Sequence, residues 1–219
     1  MKKYKAVIFD MDGTIVDTEK IWKKVNKTFF EKKNIKDKKI IKEICNKIHG
    51  LSHKKICEIF KSEANLEEPI EIIKDEISKI ADEIFYRKIS FISGFKKLHK
   101  FLKIKGIPTA IATNSSQVGL ERVDSILNLK KFFGEHMYSI TSVNDIGKPN
   151  PDIYLYAAKK LGFKPEECIA FEDSLHGINA AKAAGMYCFA IDTSKLKNVL
   201  MPADKIINKF SEVDIDSLF

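Results

Sequence analysis

Arginine is nearly missing from this 219-residue chain: Arg87 and Arg122 stand alone among many lysines, although the formal charge is +8. Bidentate reading of bases and phosphates favours the planar guanidinium, and no Arg-rich block, Gly-rich aromatic strand or zinc finger accompanies the lysines. The lysines are interleaved with acids, as in Lys42-Glu43, Lys74-Asp75-Glu76 and the stretch from Asp82-Glu83 to Lys88. The positive balance therefore describes a solvated surface, and no nucleic-acid partner is expected. Cysteine is scarce as well. Cys45, Cys57, Cys168 and Cys188 form no C-x-x-C pair and have no histidines at zinc-ligand spacing, which argues against a disulfide framework or a zinc site and leaves buried free thiols. Long apolar runs are also absent: the first, ending at Phe9, gives way to acids after a few residues, too short for a signal peptide or a membrane span. A soluble, cytoplasmic protein with no membrane partner is the expectation. No internal repeat, low-complexity tract or long exposed apolar stripe is evident, so a monomer is expected.

What is present is a hydrophobic content of 44%, enough for one core domain carrying a smaller insert. Short continuous apolar runs recur at Ala6-Val7-Ile8-Phe9, Thr109-Ala110-Ile111-Ala112, Met137-Tyr138-Ser139-Ile140, Ile169-Ala170-Phe171 and Tyr187-Cys188-Phe189-Ala190-Ile191. Runs without alternation suit a parallel sheet covered on both faces. Helical patterns lie between them, at Phe95 to Lys105, Leu120 to Leu129, Pro151 to Leu161 and Leu175 to Ala184. Gly106, Gly162 and Gly185 stand where helix stops are expected. This alternation predicts an α/β domain with right-handed crossovers. One connection breaks it: roughly 95 residues separate the first two strands, where a dozen or so would suffice. Apolar residues there fall at helical spacing, in sets built on Trp22, Val25 and Phe29, on Ile40, Ile41, Ile44 and Ile48, on Ile56, Ile59 and Phe60, and on Ile70, Ile73, Ile77, Ile80 and Ile84. The prediction is an all-helical insert over residues 16–91, with residues 1–15 and 92–219 forming the α/β core.

Three strands end in polar residues: Asp10-Met11-Asp12-Gly13-Thr14, Thr113-Asn114-Ser115 and Glu172-Asp173-Ser174. Ligand sites in open α/β sheets lie outside the carboxyl ends of strands, so these segments should face one crevice. Asp10, Asp12, Glu172 and Asp173 gathered there would repel one another by several kcal/mol at protein-like dielectric. Hard oxygen donors without histidine or thiolate point to Mg²⁺ as the compensating cation. Lys148, in Gly147-Lys148-Pro149-Asn150-Pro151-Asp152, is the expected second one.

The motifs Asp10-x-Asp12-Gly13-Thr14, Thr113, Lys148 and Phe171-Glu172-Asp173-Ser174, in that order and spacing, resemble the four motifs of the haloacid dehalogenase superfamily. The early helical insert and the wording Gly-Lys-Pro-x-Pro-Asp resemble its β-phosphoglucomutase-like branch, which includes sugar and nucleotide phosphatases. The resemblance implies a Rossmann-like three-layer core with a C1-type cap and the hydrolysis of a small phosphorylated metabolite. It casts Asp10 as the nucleophile that becomes an aspartyl-phosphate and Asp12 as general acid and base. It implies Mg²⁺ on the Asp10 carboxylate, the Asp12 backbone carbonyl and Asp173, with Glu172 either a direct ligand or one shell out. Thr113, the amide of Asn114 and Lys148 would hold the phosphoryl oxygens.

Asp12 favours phosphate esters, since dehalogenase members lack an aspartate there. The competing enzyme is a sugar phosphomutase. β-Phosphoglucomutases carry a histidine where this chain has Trp22 and an arginine where it has His53, and both departures favour the phosphatase. A non-catalytic phosphate-binding regulator would have no need to keep such costly clustered charges. In the cap, Trp22 is read as either core or substrate wall, and His53 as a surface residue or a substrate contact. His176 is placed at a helix start; His49, His99 and His136 receive no role.

Overall fold

A computed structural model describes residues 4–48, 50–85, 89–193, 200–214 and 216–219. Arg87 and His49 lie outside them. The strands are β1 (Ala6–Phe9), β2 (Thr109–Ala112), β3 (Met137–Tyr138), β4 (Cys168–Glu172), β5 (Tyr187–Ile191) and β6 (Lys205–Ile207). They form one sheet in the order β3-β2-β1-β4-β5-β6, every neighbouring pair parallel. This is a Rossmann-like arrangement with β1 between β2 and β4.

The continuous apolar strands conceal an alternation of size. Val7, Phe9, Ile111, Ile169, Phe171, Phe189 and Ile191 point to one face; Ala6, Ile8, Ala110, Ala112, Cys168, Ala170, Cys188 and Ala190 point mainly to the other. The large face packs against α5 (Phe95–Ile104), α6 (Gln117–Leu127) and α7 (Lys130–Phe133). Phe9, Phe171 and Phe189 stack across β1, β4 and β5 with centroids 5.1 and 5.0 Å apart; each such contact contributes ~0.5–1.5 kcal/mol beyond area burial. The small face lets α8 (Asp152–Leu161) and α9 (Leu175–Ala183) approach closely through Ala157, Ala158, Ala180 and Ala181.

Between β1 and α5 the described residues form four helices, α1 (Glu19–Lys32), α2 (Lys38–Lys47), α3 (His53–Glu63) and α4 (Ile70–Phe85). Asp37 and Ser52 cap α2 and α3 through side-chain oxygens. Phe29, Phe30 and Phe60 form a compact aromatic group among the helices, with centroids 4.8–5.8 Å apart. The two crossings between this helical segment and the sheet run side by side: Val16 pairs antiparallel with Phe91, and the N–H groups of Asp17 and Ile92 donate to the carbonyls of Ser90 and Ile15, both at 2.9 Å.

Two expectations need correction. The run ending at Ile140 is strand only over Met137–Tyr138, and Ile140–Val143 winds into a 3₁₀ turn. The helix expected to reach Leu129 stops at Leu127, where Asn128 adopts φ +54°, and a separate short helix follows. The four cysteines are free; Cys57, Cys168 and Cys188 are buried and Cys45 is half-buried. Among the described residues, no helix is long and apolar enough to cross a membrane.

Candidate active site

Beyond Phe9 the chain leaves the sheet and folds into a tight loop, with the N–H groups of Ile15 and Val16 both donating to the Met11 carbonyl. The loop requires Gly13: its φ is +80°, and a Cβ there would lie 2.0 Å from Asp173 Oδ2. This departure from extended geometry separates the two aspartates of the first motif. Asp10 is buried and turned toward Lys148, whose Nζ lies 2.6 Å from Asp10 Oδ1. Asp12 is half-buried and accepts a hydrogen bond from Ser115 Oγ at 2.8 Å.

Lys148 comes from the loop that precedes α8 and is itself buried. Its Nζ is 2.6 Å from Glu172 Oε1 as well, and it sits 4.9 Å from the ring centroid of Tyr154, where the π face adds attraction. The Tyr154 hydroxyl donates to Glu172 Oε1 at 2.7 Å. The other carboxylate oxygen, Oε2, accepts from the N–H of Asp173 at 3.1 Å, the N–H of Ser174 at 3.4 Å and Ser174 Oγ at 3.2 Å. Glu172 therefore has both oxygens engaged by the protein. It is pressed against the first turn of α9, where a Cβ on Gly177 would fall 1.9 Å from its carboxyl carbon. Ser174 caps that helix by accepting from the Gly177 N–H at 3.1 Å.

The electrostatics leave a deficit of positive charge. Burial drives the Asp10 carboxyl up to about 7 against the pull of Lys148, with Glu172 and Asp12 adding to the rise. Asp173 is raised for the same reason, burial first and then repulsion from Asp10 and Glu172; Thr14 Oγ1 donates to it at 3.3 Å. Lys148 is held protonated above the usual lysine range: burial opposes its charge, and Asp10 and Glu172 outweigh that opposition. Asp10, Glu172 and Asp173 offer oxygen atoms that lie within 4.8 Å of one another. Three clustered carboxyls and one ammonium form an oxygen-only donor set short of positive charge, which fits a hard divalent cation.

Thr113 is buried at the end of β2, its hydroxyl oxygen accepting from the Ser115 N–H at 3.0 Å. Asn114 sits beside the cluster, its carboxamide bonded to the Lys148 backbone. Trp22 and His53 are brought together in the helical segment, with ring centroids 6.3 Å apart. His53 is half-buried, and its Nε2 is buried with no hydrogen-bond partner. Burial, then Lys74 and Arg122, push its imidazole down to about 4. His176 lies in the first turn of α9, and a Cβ on Gly50 would lie 3.9 Å from its Cβ. The sequence puts Ser115 at a strand end facing the crevice without a role of its own, and gives no signal for Tyr154 or Gly177. Tyr154 lies within the helical pattern from Pro151 to Leu161, and only its position in space reveals Glu172 as its partner.

Residues 4–185 match the family model described as haloacid dehalogenase-like hydrolase. The chain is 31% identical over 182 residues to a phosphorylated carbohydrates phosphatase of Thermotoga maritima, covering 83% of this chain and 82% of that one. A haloacid dehalogenase hydrolase of family IA, variant 3, from Entamoeba histolytica superposes with a TM-score of 0.83 at 26% identity, over 98% of this chain and 97% of its own. A haloacid dehalogenase family hydrolase from Deinococcus radiodurans, solved with bound phosphate and sodium, gives 0.75 at 25% identity over 97% and 94% of the two chains. With its four motifs assembled at the carboxyl edge of one parallel sheet, this chain belongs to the haloacid dehalogenase-like hydrolases.

Proposed function

We propose that this hydrolase cleaves phosphate monoesters of small metabolites, phosphorylated carbohydrates foremost, through an aspartyl-phosphate on Asp10. The observation that carries the reading is the buried Asp10–Lys148 contact of 2.6 Å beside Asp173. A single ammonium there meets the nucleophile and the position an incoming phosphoryl group would take. The likeness to a phosphorylated carbohydrates phosphatase supports the substrate class.

The Asp10 carboxylate oxygen forms a bond to phosphorus as the bond to the ester oxygen breaks. Asp12 gives a proton to the departing alkoxide, then removes one from the water that attacks the aspartyl-phosphate and releases inorganic phosphate. Lys148 and the Thr113 hydroxyl hold the phosphoryl oxygens, and Ser115 holds Asp12 until substrate arrives. Asp10, Asp173 and the Asp12 backbone carbonyl would hold Mg²⁺, which when bound offsets charge on the nucleophile and on the transferred group. Glu172, with both oxygens engaged by Lys148, Tyr154 and the start of α9, positions Lys148 and stands one shell out. The segment 16–91 acts as a cap that closes over the site and selects the substrate, with Trp22 and His53 facing the leaving group.

Phosphate release from a panel of phosphorylated sugars with and without Mg²⁺ tests this reading. Turnover that needs Mg²⁺ and vanishes in Asp10→Asn is expected; equal turnover by wild type and Asp10→Asn would overturn it. Conversion of glucose 1-phosphate to glucose 6-phosphate in the presence of the bisphosphate would establish the mutase instead.

A further inference from the structure

The amide of Asn114 is expected to hold a phosphoryl oxygen, a role that does not require the side chain of this residue. Its side chain is committed elsewhere. Oδ1 accepts the backbone N–H of Lys148 at 2.8 Å. Nδ2 donates to the Gly50 carbonyl at 2.9 Å and, more weakly, to the Lys148 carbonyl at 3.4 Å. One planar carboxamide thus joins three segments: the end of β2, the Lys148 loop, and the α2–α3 turn of the helical segment.

Gly50 is seated on a second residue of the site. Its φ is +77°, and a Cβ there would fall 2.5 Å from both Cβ and Oγ of Ser174, so no side chain fits between this turn and the start of α9. Asn114 follows β2 and Ser174 follows β4, the strands on either side of β1. The Gly50 turn therefore spans the crevice above the end of β1, where Asp10 lies. Arg122 on α6 pairs with Asp82 on α4 at 2.5 Å, a separate tie that holds the helical segment to the core.

We infer that the Asn114 carboxamide is a positioning element that couples the seating of the Gly50 turn to the placement of Lys148. The coupling deepens the proposed phosphatase reading, on which its catalytic meaning rests. The Lys148 N–H fixes which way the carboxamide faces, so Nδ2 can only point toward the turn. Seating of the turn supplies the Gly50 carbonyl, which immobilises the carboxamide and through it the backbone of Lys148. Opening removes that acceptor and leaves Nδ2 with a single long bond. Coupling of this kind is reciprocal, so a ligand that orders Lys148 must also favour the seated turn.

Amide hydrogen exchange on the whole protein tests the coupling, because the Lys148 N–H is itself part of it. In Gly50→Ala, whose added carbon drives the turn off Ser174 while Asn114 and Lys148 keep their own side chains, exchange in residues 146–150 should quicken about fivefold, the factor that one lost hydrogen bond gives. Unchanged exchange there, with faster exchange confined to residues 50–52, would overturn the inference. A variant that does not fold leaves a second arm. In wild type, orthovanadate with Mg²⁺ should slow exchange in residues 50–52 and 146–150 together, whereas in Asn114→Ala it should slow only 146–150. Equal protection of both segments in Asn114→Ala would refute the coupling. Absence of any vanadate effect in wild type would count against the phosphatase reading, while the Gly50→Ala comparison would still decide the coupling.

Discussion

A Cβ on Gly177 would lie 1.9 Å from the carboxyl carbon of Glu172; the first turn of α9 and the fully buried acid occupy each other's only available space. Glu172 cannot yield, since Lys148, Tyr154 and the Asp173–Ser174 backbone all hold it. Gly177→Ala should therefore cost about 3 kcal/mol or more in urea unfolding. Gly119→Ala, whose added carbon meets nothing nearer than 3.5 Å, should lie between neutral and about 1 kcal/mol stabilising. Equal stabilities for the two variants would mean that Glu172 is not locked in place.

Tyr154→Phe keeps the ring under the Lys148 ammonium and removes only the donor to Glu172 Oε1. A hydrogen bond to a buried charged group contributes about 1.5–3 kcal/mol, so stability should fall by about 2 kcal/mol. Because Lys148 shares that oxygen, its position should loosen, and kcat/KM for a sugar phosphate should drop about tenfold. Paired equilibrium unfolding and steady-state kinetics check both numbers; kinetics unchanged beside lost stability would leave Tyr154 a purely structural residue.

His99 is buried at the far side of the sheet and meets the Thr109 hydroxyl through Nε2 at 3.1 Å. Burial, reinforced by Lys103, pushes its imidazole down to about 4 from 6.5. The unfolded chain thus binds more protons between those values, and the stability His99 contributes is complete above pH 6.5 and lost as pH falls toward 4. Between pH 7.5 and 5 the loss from this one group is about 2 kcal/mol. His53 shifts in the same direction, so wild type alone cannot separate them. His99→Gln, which can still bond Thr109, should lose about 2 kcal/mol less than wild type over that range in urea titrations.

Much of this was legible in the chain because the strands are short, apolar and bounded by their functional residues. β1, β2 and β5 begin and end where their apolar runs do, and four strand ends or loops carry motif residues at readable spacing. β6 was not legible: Lys205-Ile206-Ile207 is a three-residue edge strand, exposed at its start, with too little pattern to separate it from a loop. The Asn114 carboxamide escaped for another reason. Its partners, Gly50 and Lys148, are backbone groups 64 and 34 residues away, and backbone partners leave no trace in side-chain identity. The sequence leaves His53 open between a surface residue and a substrate contact. Its half-buried position and partnerless Nε2 come from the packing of α3 near α1, which helical periodicity alone does not fix.

The central claim is that Asp10 takes the phosphoryl group. Acid quench of wild-type protein turning over a sugar phosphate with Mg²⁺, followed by mass spectrometry of the peptide containing Asp10, measures it directly. The predicted result is a phosphoryl group on Asp10, absent from Asp10→Asn, whose kcat/KM falls by about 10³-fold or more. Sustained turnover by Asp10→Asn, or a phosphoryl group found on another residue, would contradict the account.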